Sequence, residues 1–206
     1  MKLPALIAIT DVARYGAERT LERLELLLTS ALPGSVMVQL RDRGLPGRER
    51  LLLARELRGL TRRHEQFLCI NDRLDLALVV ESEAVHLGEL SVSPADARAL
   101  VGSRLIITEA CHDPERLAEA SVANALLLSP VFSARKGNPA LGFQALERAR
   151  SLLLAYAPRQ TLYALGGVSA AAAARCAEIG VGVAAIGAVF EAAEPSALLA
   201  ALGIQR

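Results

Sequence analysis

The stretch CINDRLDLALVVESEAVHLGELS, residues 69–91, holds two short apolar runs separated by a helical segment, and both runs end in polar groups. The first stops in Asn71-Asp72-Arg73, and the second passes from His86 through Gly88 and Glu89 to Ser91. A buried strand does not tolerate such ends unless they face something wet or a partner, because desolvating an unpaired polar group is costly. The fold must therefore set the ends of both runs side by side, where their side chains converge on solvent or a ligand.

The same unit recurs along the chain. Short apolar runs are ALIAIT (5–10), VMVQL (36–40), FLCIN (67–71), AVHL (84–87), RLIIT (104–108), ALLLSPVF (125–132), TLYAL (161–165) and VAAIG (183–187). Between them lie amphipathic segments such as ERTLERLELLLTSAL (18–32) and RERLLLARELRGLTRRH (48–64). In the second of these, Leu52, Leu53, Leu57 and Leu60 form an apolar stripe, with Arg and Glu over the rest. Helix-start signals recur at Ser93-Pro94, Asp113-Pro114, Ser169 and Glu194-Pro195. Eight strand-like runs alternating with eight helical segments, without linkers, imply a closed (β/α)8 TIM barrel, a single α/β domain over residues 1–206. A doubly wound open sheet is the rival, and the count of eight disfavours it.

Of the 206 residues, 52% are hydrophobic and 22% charged, ample for one large core. The formal net charge is +1, and the aromatics are four Phe and three Tyr with no Trp. No basic block or stacking surface suits nucleic acid. Charges interrupt each apolar run well before the ~18 residues a membrane span needs. The start, MKLPALIAITD, lacks a secretory core and cleavage site. Cys69, Cys111 and Cys176 are widely spaced in apolar segments and read as reduced core thiols. A cytoplasmic protein is expected.

In a barrel of this type the site lies at the C-terminal ends of the strands. That rim would gather Thr10-Asp11, Gln39 to Arg41, Asn71-Asp72, His86 to Ser91, Thr108-Glu109, Ser129 to Lys136, Gly166-Gly167 and Gly187-Ala188. Leu165-Gly166-Gly167-Val168-Ser169 and Ile186-Gly187-Ala188-Val189 follow the last two strands and open helices, a common phosphate position in such barrels. The competing role for these glycines is a plain tight turn. Gln39 and Arg41 share one phase of the strand and are expected to point inward; with Arg43 they offer forks for a pyrophosphate. An outward, solvated cluster with Asp42 is the alternative. Asp72 suits Mg²⁺, which takes one or two carboxylates plus substrate phosphates, and equally suits an N-cap. Asp75 reads as a helix charge paired with a neighbouring Arg. Lys136 lies in SPVFSARKGNPALG, a loop long enough for a lid. His86 and His112 are candidate acids, bases or pocket walls. Neither a Ser/His/Asp or Cys/His nucleophile arrangement nor a Cys/His metal spacing is present.

In order along the chain, VQLRDR, CINDRLDLAL, VHLGE, SPVF with its following Lys136, ALGGV and GVAAIGAVF resemble the thiamine phosphate synthase and thiazole tautomerase superfamily. The resemblance covers nearly the whole chain and implies a TIM barrel, usually a homodimer, acting on small phosphorylated thiamine precursors. The synthase joins hydroxymethylpyrimidine diphosphate to thiazole phosphate. By this resemblance Gln39, Arg41 and Arg43 contact the pyrimidine diphosphate, Asn71 the pyrophosphate, and Asp72 ligates Mg²⁺. Lys136 clamps the pyrophosphate, with Arg41 beside it in the chemistry, and Gly166, Gly167 and Gly187 receive thiazole phosphate.

The chain also departs from the synthase pattern. Arg43 replaces a usual Lys, and in the family's His-x-Gly-Gln-x-Asp run Glu89 replaces the Gln and Ser91 the metal-binding Asp. Glu89 is the substitute metal ligand to consider. Thr108-Glu109-Ala110 replaces Gly-Val-Ser, Ser133 to Lys136 replaces a Thr-rich lid, and Gly187 replaces a Ser. A tautomerase, which isomerises a thiazole carboxylate phosphate, is one alternative. Its characteristic His is Pro130 here, so His86 or His112 would have to do its acid–base work. A non-catalytic barrel that binds thiazole or thiamine phosphate is the other.

Overall fold

The computed structural model describes residues 2–42, 44–118, 121–135 and 137–206. Its elements run β1 (Leu6–Ile9), α1 (Val12–Tyr15), α2 (Ala17–Thr29), β2 (Val36–Leu40), α3 (Gly47–Arg63), β3 (Phe67–Asn71), α4 (Leu74–Val79) and β4 (Ala84–Leu87). There follow α5 (Pro94–Val101), β5 (Ile106–Cys111), a 3-10 helix (Pro114–Ala118), β6 (Ala125–Leu128), α6 (Gly142–Tyr156) and β7 (Thr161–Leu165). The chain closes with α7 (Ala170–Glu178), β8 (Gly182–Ala185), α8 (Gly187–Phe190) and α9 (Ser196–Ala201). Among the described residues, eight parallel strands pair in sequence order, and β1 pairs with β8 as well as β2, so the sheet is a closed barrel. This is the (β/α)8 TIM barrel expected from the alternation.

The period of two sorts every strand into an inward and an outward set. Ile7, Ile9, Met37, Cys69, Ala84, Ile106, Ala125, Leu127, Tyr163 and Ala184 fill the barrel itself. The alternate residues, among them Leu6, Ala8, Val38, Ile70, Val85 and Val183, pack beneath the helices. Tyr163 is fully buried and donates its hydroxyl to the carbonyl of Pro4 at 2.5 Å, so the large ring leaves no unpaired polar atom. Its neighbour across the strand pair is Gly182. A Cβ there would stand 2.6 Å from the Tyr163 ring, so Gly182 is glycine because the ring needs its volume.

Three expectations need correction. The fifth crossover carries a 3-10 helix among the described residues, where an α-helix was expected. Its Asp113-Pro114 start is real, for the amide of Glu115 bonds the Asp113 carboxylate at 3.0 Å. β5 also starts two residues later than its apolar run and ends three later, taking in Glu109 and Cys111, because pairing with β6 continues to Cys111–Leu128. On α3 the buried stripe is Leu53, Ala54, Leu57, Leu60 and Thr61, while Leu52 is half exposed. Spacings of three and four from Leu53 hold that line; Leu52 sits a full 100° off it.

Ser93 and Ser169 cap α5 and α7 as their positions suggest, each accepting the amide three residues on. The three cysteines are free and buried, and burial pushes each thiol's pKa up. Among the described residues no helix is long and apolar enough to cross a membrane.

The packing of Tyr163 on Gly182 gives the first test. Gly182→Ala forces the ring off its position in a filled barrel and should cost about 1–3 kcal/mol. Urea unfolding measures this, and pairing the change with Tyr163→Leu should recover part of the loss.

Candidate active site

The two polar strand ends of residues 69–91 do meet. Asn71 lies directly opposite His86 in the β3–β4 ladder, and the amide of Asp72 donates to the carbonyl of His86 at 2.9 Å. Asp72 has φ 64°, a left-handed conformation uncommon outside glycine but tolerated by Asp. Its carboxylate is gripped from three sides. Asn71 Nδ2 donates to Oδ2 at 2.6 Å, the Ser91 hydroxyl donates to Oδ1, and the amide of Gly88 lies 3.5 Å away. Asp72 is not the N-cap of α4; that position is Arg73, with no side-chain cap bond. Asp75 pairs with Arg73 as anticipated, at 2.5 Å, and the guanidinium holds its carboxyl down at about 2.

A polar layer crosses half of the barrel mouth just above the apolar filling. Gln39 Nε2 donates to Asn71 Oδ1 at 3.2 Å, and His86 Nδ1 lies 2.9 Å from Thr108 Oγ1. Gln39, Asn71, His86 and Thr108 are all buried, and they come from β2, β3, β4 and β5. Gln39 is thus inward, as its phase implies. Its Oε1 is buried without a hydrogen-bond partner among the described residues. Arg41 follows half-buried, its amide donating to Thr10 Oγ1 at 3.1 Å. Arg43 and Lys136 lie outside the described residues.

Asp42 is not solvated. It is 8% exposed and accepts from the Thr10 hydroxyl and from the amide of Val12, both at 2.5 Å. It thereby fastens the end of β2 to the end of β1 and satisfies an orphan donor at the start of α1. Glu89 reaches His112, 3.6 Å from Nε2, while His112 Nδ1 faces the Ser129 carbonyl at 2.6 Å. Ser91 rather than Glu89 is therefore the residue against Asp72. Among the described residues no three His, Cys, Asp or Glu side chains cluster as a metal site.

On the opposite half of the mouth, Gly166 and Gly167 have φ of 103° and 70°. A Cβ on Gly167 would stand 2.7 Å from the Ser133 side chain, and one on Gly166 would stand 3.2 Å from Pro130. Glycine is required at both, because the loop after β6 lies directly on them, with the amides of Val131 and Phe132 donating to the carbonyls of Leu165 and Gly166. Gly166, Gly167, Gly187 and Ala188 line a cleft of about 450 Å³ with Asp11, Arg14, Arg135 and Glu191. A separate cavity of about 250 Å³ lies beside α5 and the 3-10 helix, lined by Glu109 and Cys111 on the outward side of β5.

Residues 6–189 match the family described as thiamine monophosphate synthase. The chain belongs to the thiamine monophosphate synthase family. It is 38% identical over 173 residues to the putative thiamine-phosphate synthase 2 of Aquifex aeolicus, covering 82% of this chain and 88% of that one. With the thiamine-phosphate synthase of Koribacter versatilis it shares 32% over 175 residues, 82% of this chain and 80% of its relative. A solved thiamine phosphate pyrophosphorylase of Pyrococcus furiosus superposes with a TM-score of 0.77 at 27% identity, over 96% of this chain and 93% of that one. As a member of the thiamine monophosphate synthase family, the chain sets the polar residues of β2 to β5 across the mouth from the glycines after β7 and β8.

Several residues of the mouth were not legible in the sequence. Asp42 sits between two arginines, a pattern that reads as surface charge. Thr108 was placed on the rim and read as a departure from a motif, but its pairing with His86 was not foreseen. Glu191 follows Gly187 by four residues, a spacing that in a helical turn brings the two together, and this signal was available.

Asp42 supplies the test. Asp42→Asn turns an acceptor into a group that presents N–H to the Val12 amide or the Thr10 hydroxyl, and should cost about 1–3 kcal/mol. Chemical unfolding measures the loss, and hydrogen exchange of the Val12 amide should accelerate more than that of the β5–β6 ladder.

Proposed function

We propose that the protein is a thiamine-phosphate synthase, a transferase that joins hydroxymethylpyrimidine diphosphate to thiazole phosphate and releases pyrophosphate. The observation that carries this is the divided mouth: a buried polar layer on β2 to β5, with Asp72 at its edge, faces a glycine-lined cleft after β7 and β8. Two polar substrates then meet across one barrel. In this reading Gln39, Arg41, Arg43, Asn71 and His86 receive the pyrimidine diphosphate, and Gly166, Gly167 and Gly187 receive thiazole phosphate. His112 stands between Glu89 and Ser129 as a wall of the site.

The chemistry needs charge neutralisation more than a strong base. Pyrophosphate departs from the pyrimidine methylene, and the thiazole nitrogen attacks the carbon it leaves. Arg41 and Lys136 stabilise the departing negative charge, and fixed donors do so without reorganising. Gln39 Oε1, an acceptor with no protein donor, is poised for an N–H of the aminopyrimidine.

Mg²⁺ suits Asp72 on the chemistry of its surroundings. One carboxylate with a neighbouring hydroxyl, Ser91, is a thin donor set, but Mg²⁺ accepts one carboxylate when substrate phosphates complete it. When bound, the ion would neutralise the diphosphate. Asp72 would hold it, with Asn71 and Ser91 orienting that carboxylate, while Glu89 turns toward His112. The tautomerase and binding-only alternatives are not favoured, since the relatives are named as synthases and Pro130 has no proton to give. A homodimer in the cytoplasm completes the proposal.

Two experiments test it. Incubation with hydroxymethylpyrimidine diphosphate and thiazole phosphate should yield thiamine phosphate only with Mg²⁺, and Asp72→Ala should abolish it; Mg²⁺-independent product overturns the role of Asp72. Ser91→Asp adds a second carboxylate beside the first and should tighten Mg²⁺ binding to the pyrophosphate-loaded protein roughly tenfold by calorimetry. Unchanged affinity places the ion elsewhere.

A further inference from the structure

The glycine-lined cleft contains a carboxylate. Glu191 follows α8 directly, its amide bonded to the Gly187 carbonyl at 2.7 Å. Its side chain folds back so that a Cβ on Gly187 would stand 3.4 Å from Oε2. Oε1 takes the hydroxyl of Tyr15 and the guanidinium of Arg14, the latter at 2.8 Å. Tyr15 in turn stacks on Phe190, ring centroids 5.2 Å apart. Desolvation first, and the Glu191 carboxylate second, push the Tyr15 pKa up to about 12, so the hydroxyl remains a donor throughout the neutral range.

This cluster joins α1 to α8 across the β8–β1 seam, yet it does little for stability as an ion pair. The Arg14 and Glu191 side chains are 61% and 48% exposed, and such pairs contribute at most about 1 kcal/mol. Its consequence is in the field at the cleft. Among the described residues the lining carries two guanidiniums, Arg14 and Arg135, and two carboxylates, Asp11 and Glu191, so these charges cancel. A cup for a phosphate dianion gains from donors and cations alone. Here one of its two arginines is already held by an internal anion.

We propose that Glu191 determines how strongly this cleft prefers a phosphate ester over the corresponding free alcohol, by competing with the ligand's phosphate for Arg14. Arg14 is then a phosphate-binding guanidinium that leaves Glu191 when the ligand arrives. This rests on the reading that thiazole phosphate enters the cleft. A neutral hydroxyl loses nothing to Glu191, whereas a dianion meets both its repulsion and its claim on Arg14. Removing the charge therefore moves the two ligands apart.

Calorimetric binding of thiazole phosphate and of its dephosphorylated alcohol tests the proposal on the full chain. Glu191→Gln keeps an acceptor for Tyr15 and should tighten thiazole phosphate about tenfold, leaving the alcohol unchanged. Arg14→Gln should weaken the phosphate ester by a similar factor and again spare the alcohol. Tyr15→Phe breaks the same cluster without changing charge, and should keep the wild-type ratio of the two affinities. A ratio unmoved by Glu191→Gln overturns the proposal, as does Tyr15→Phe moving it equally. Turnover is measured separately. Thiamine phosphate formation with an unmoved ratio defeats the role of Glu191 alone; a shifted ratio without thiamine phosphate formation keeps that role and defeats the synthase reading.

Discussion

Because β1 pairs with β8 as well as with β2, every strand in the sheet has two neighbours and the alternation of side chains continues around a closed ring. Closure abolishes edges and forces one set of side chains into a space with no outlet except the two ends. At the lower level that space is filled by Ile7, Met37, Tyr163 and their neighbours, with Gly182 yielding room for the ring. At the upper level the same phase brings Gln39, Asn71, His86 and Thr108 inward. The site is thus not an addition to the core. It is the next layer of the same register, made polar on four consecutive strands.

That continuity explains why the fold was legible in the sequence. Eight apolar runs at regular intervals, each followed by an amphipathic segment, leave few ways to bury both faces of a parallel sheet. The polar ends at Asn71-Asp72 and His86 to Ser91 marked the rim because strand interiors do not carry such groups. The fifth crossover was harder to read, since Asp113-Pro114 starts a 3-10 helix and an α-helix alike. The boundary of β5 shifted for a related reason: Glu109 does not look like a strand residue, and the ladders to β4 and β6 and its bond with the Ser121 hydroxyl accommodate it.

The candidate site was legible only where residue type or strand phase narrows the choice of roles. Gly166 and Gly167 were read as a phosphate position or a plain tight turn, and the Ser133 loop lying on them gives a separate packing reason for glycine at both. Inward Gln39 followed from strand phase. Asp42, by contrast, lies between two arginines, and charge order along a chain says nothing about which member turns inward to accept from Thr10 and Val12. Contacts across the β8–β1 seam were equally hidden, for Tyr15 and Glu191 lie 176 positions apart and only closure makes them neighbours.

Asp72 shows how a single carboxylate holds its place in such a mouth. Its left-handed backbone is sustained by the bond of its amide to His86, and its oxygens are held by Asn71, Ser91 and Gly88. A neutral Ser91 in place of a second acid removes the repulsion that two facing carboxylates would suffer without a cation. The protein without a cation is more easily held together by this arrangement, and a Mg²⁺ ion at Asp72, as proposed above, would be bound less tightly before substrate arrives. In the proposed function, charge complementarity would then depend on the diphosphate itself, so that metal and substrate bind best together. On the other side of the barrel the cleft's described charges cancel, and a phosphate entering there, as proposed, would compete with a carboxylate already present. Under the proposed function, each half of the mouth therefore leaves part of its electrostatic arrangement for the ligand to complete.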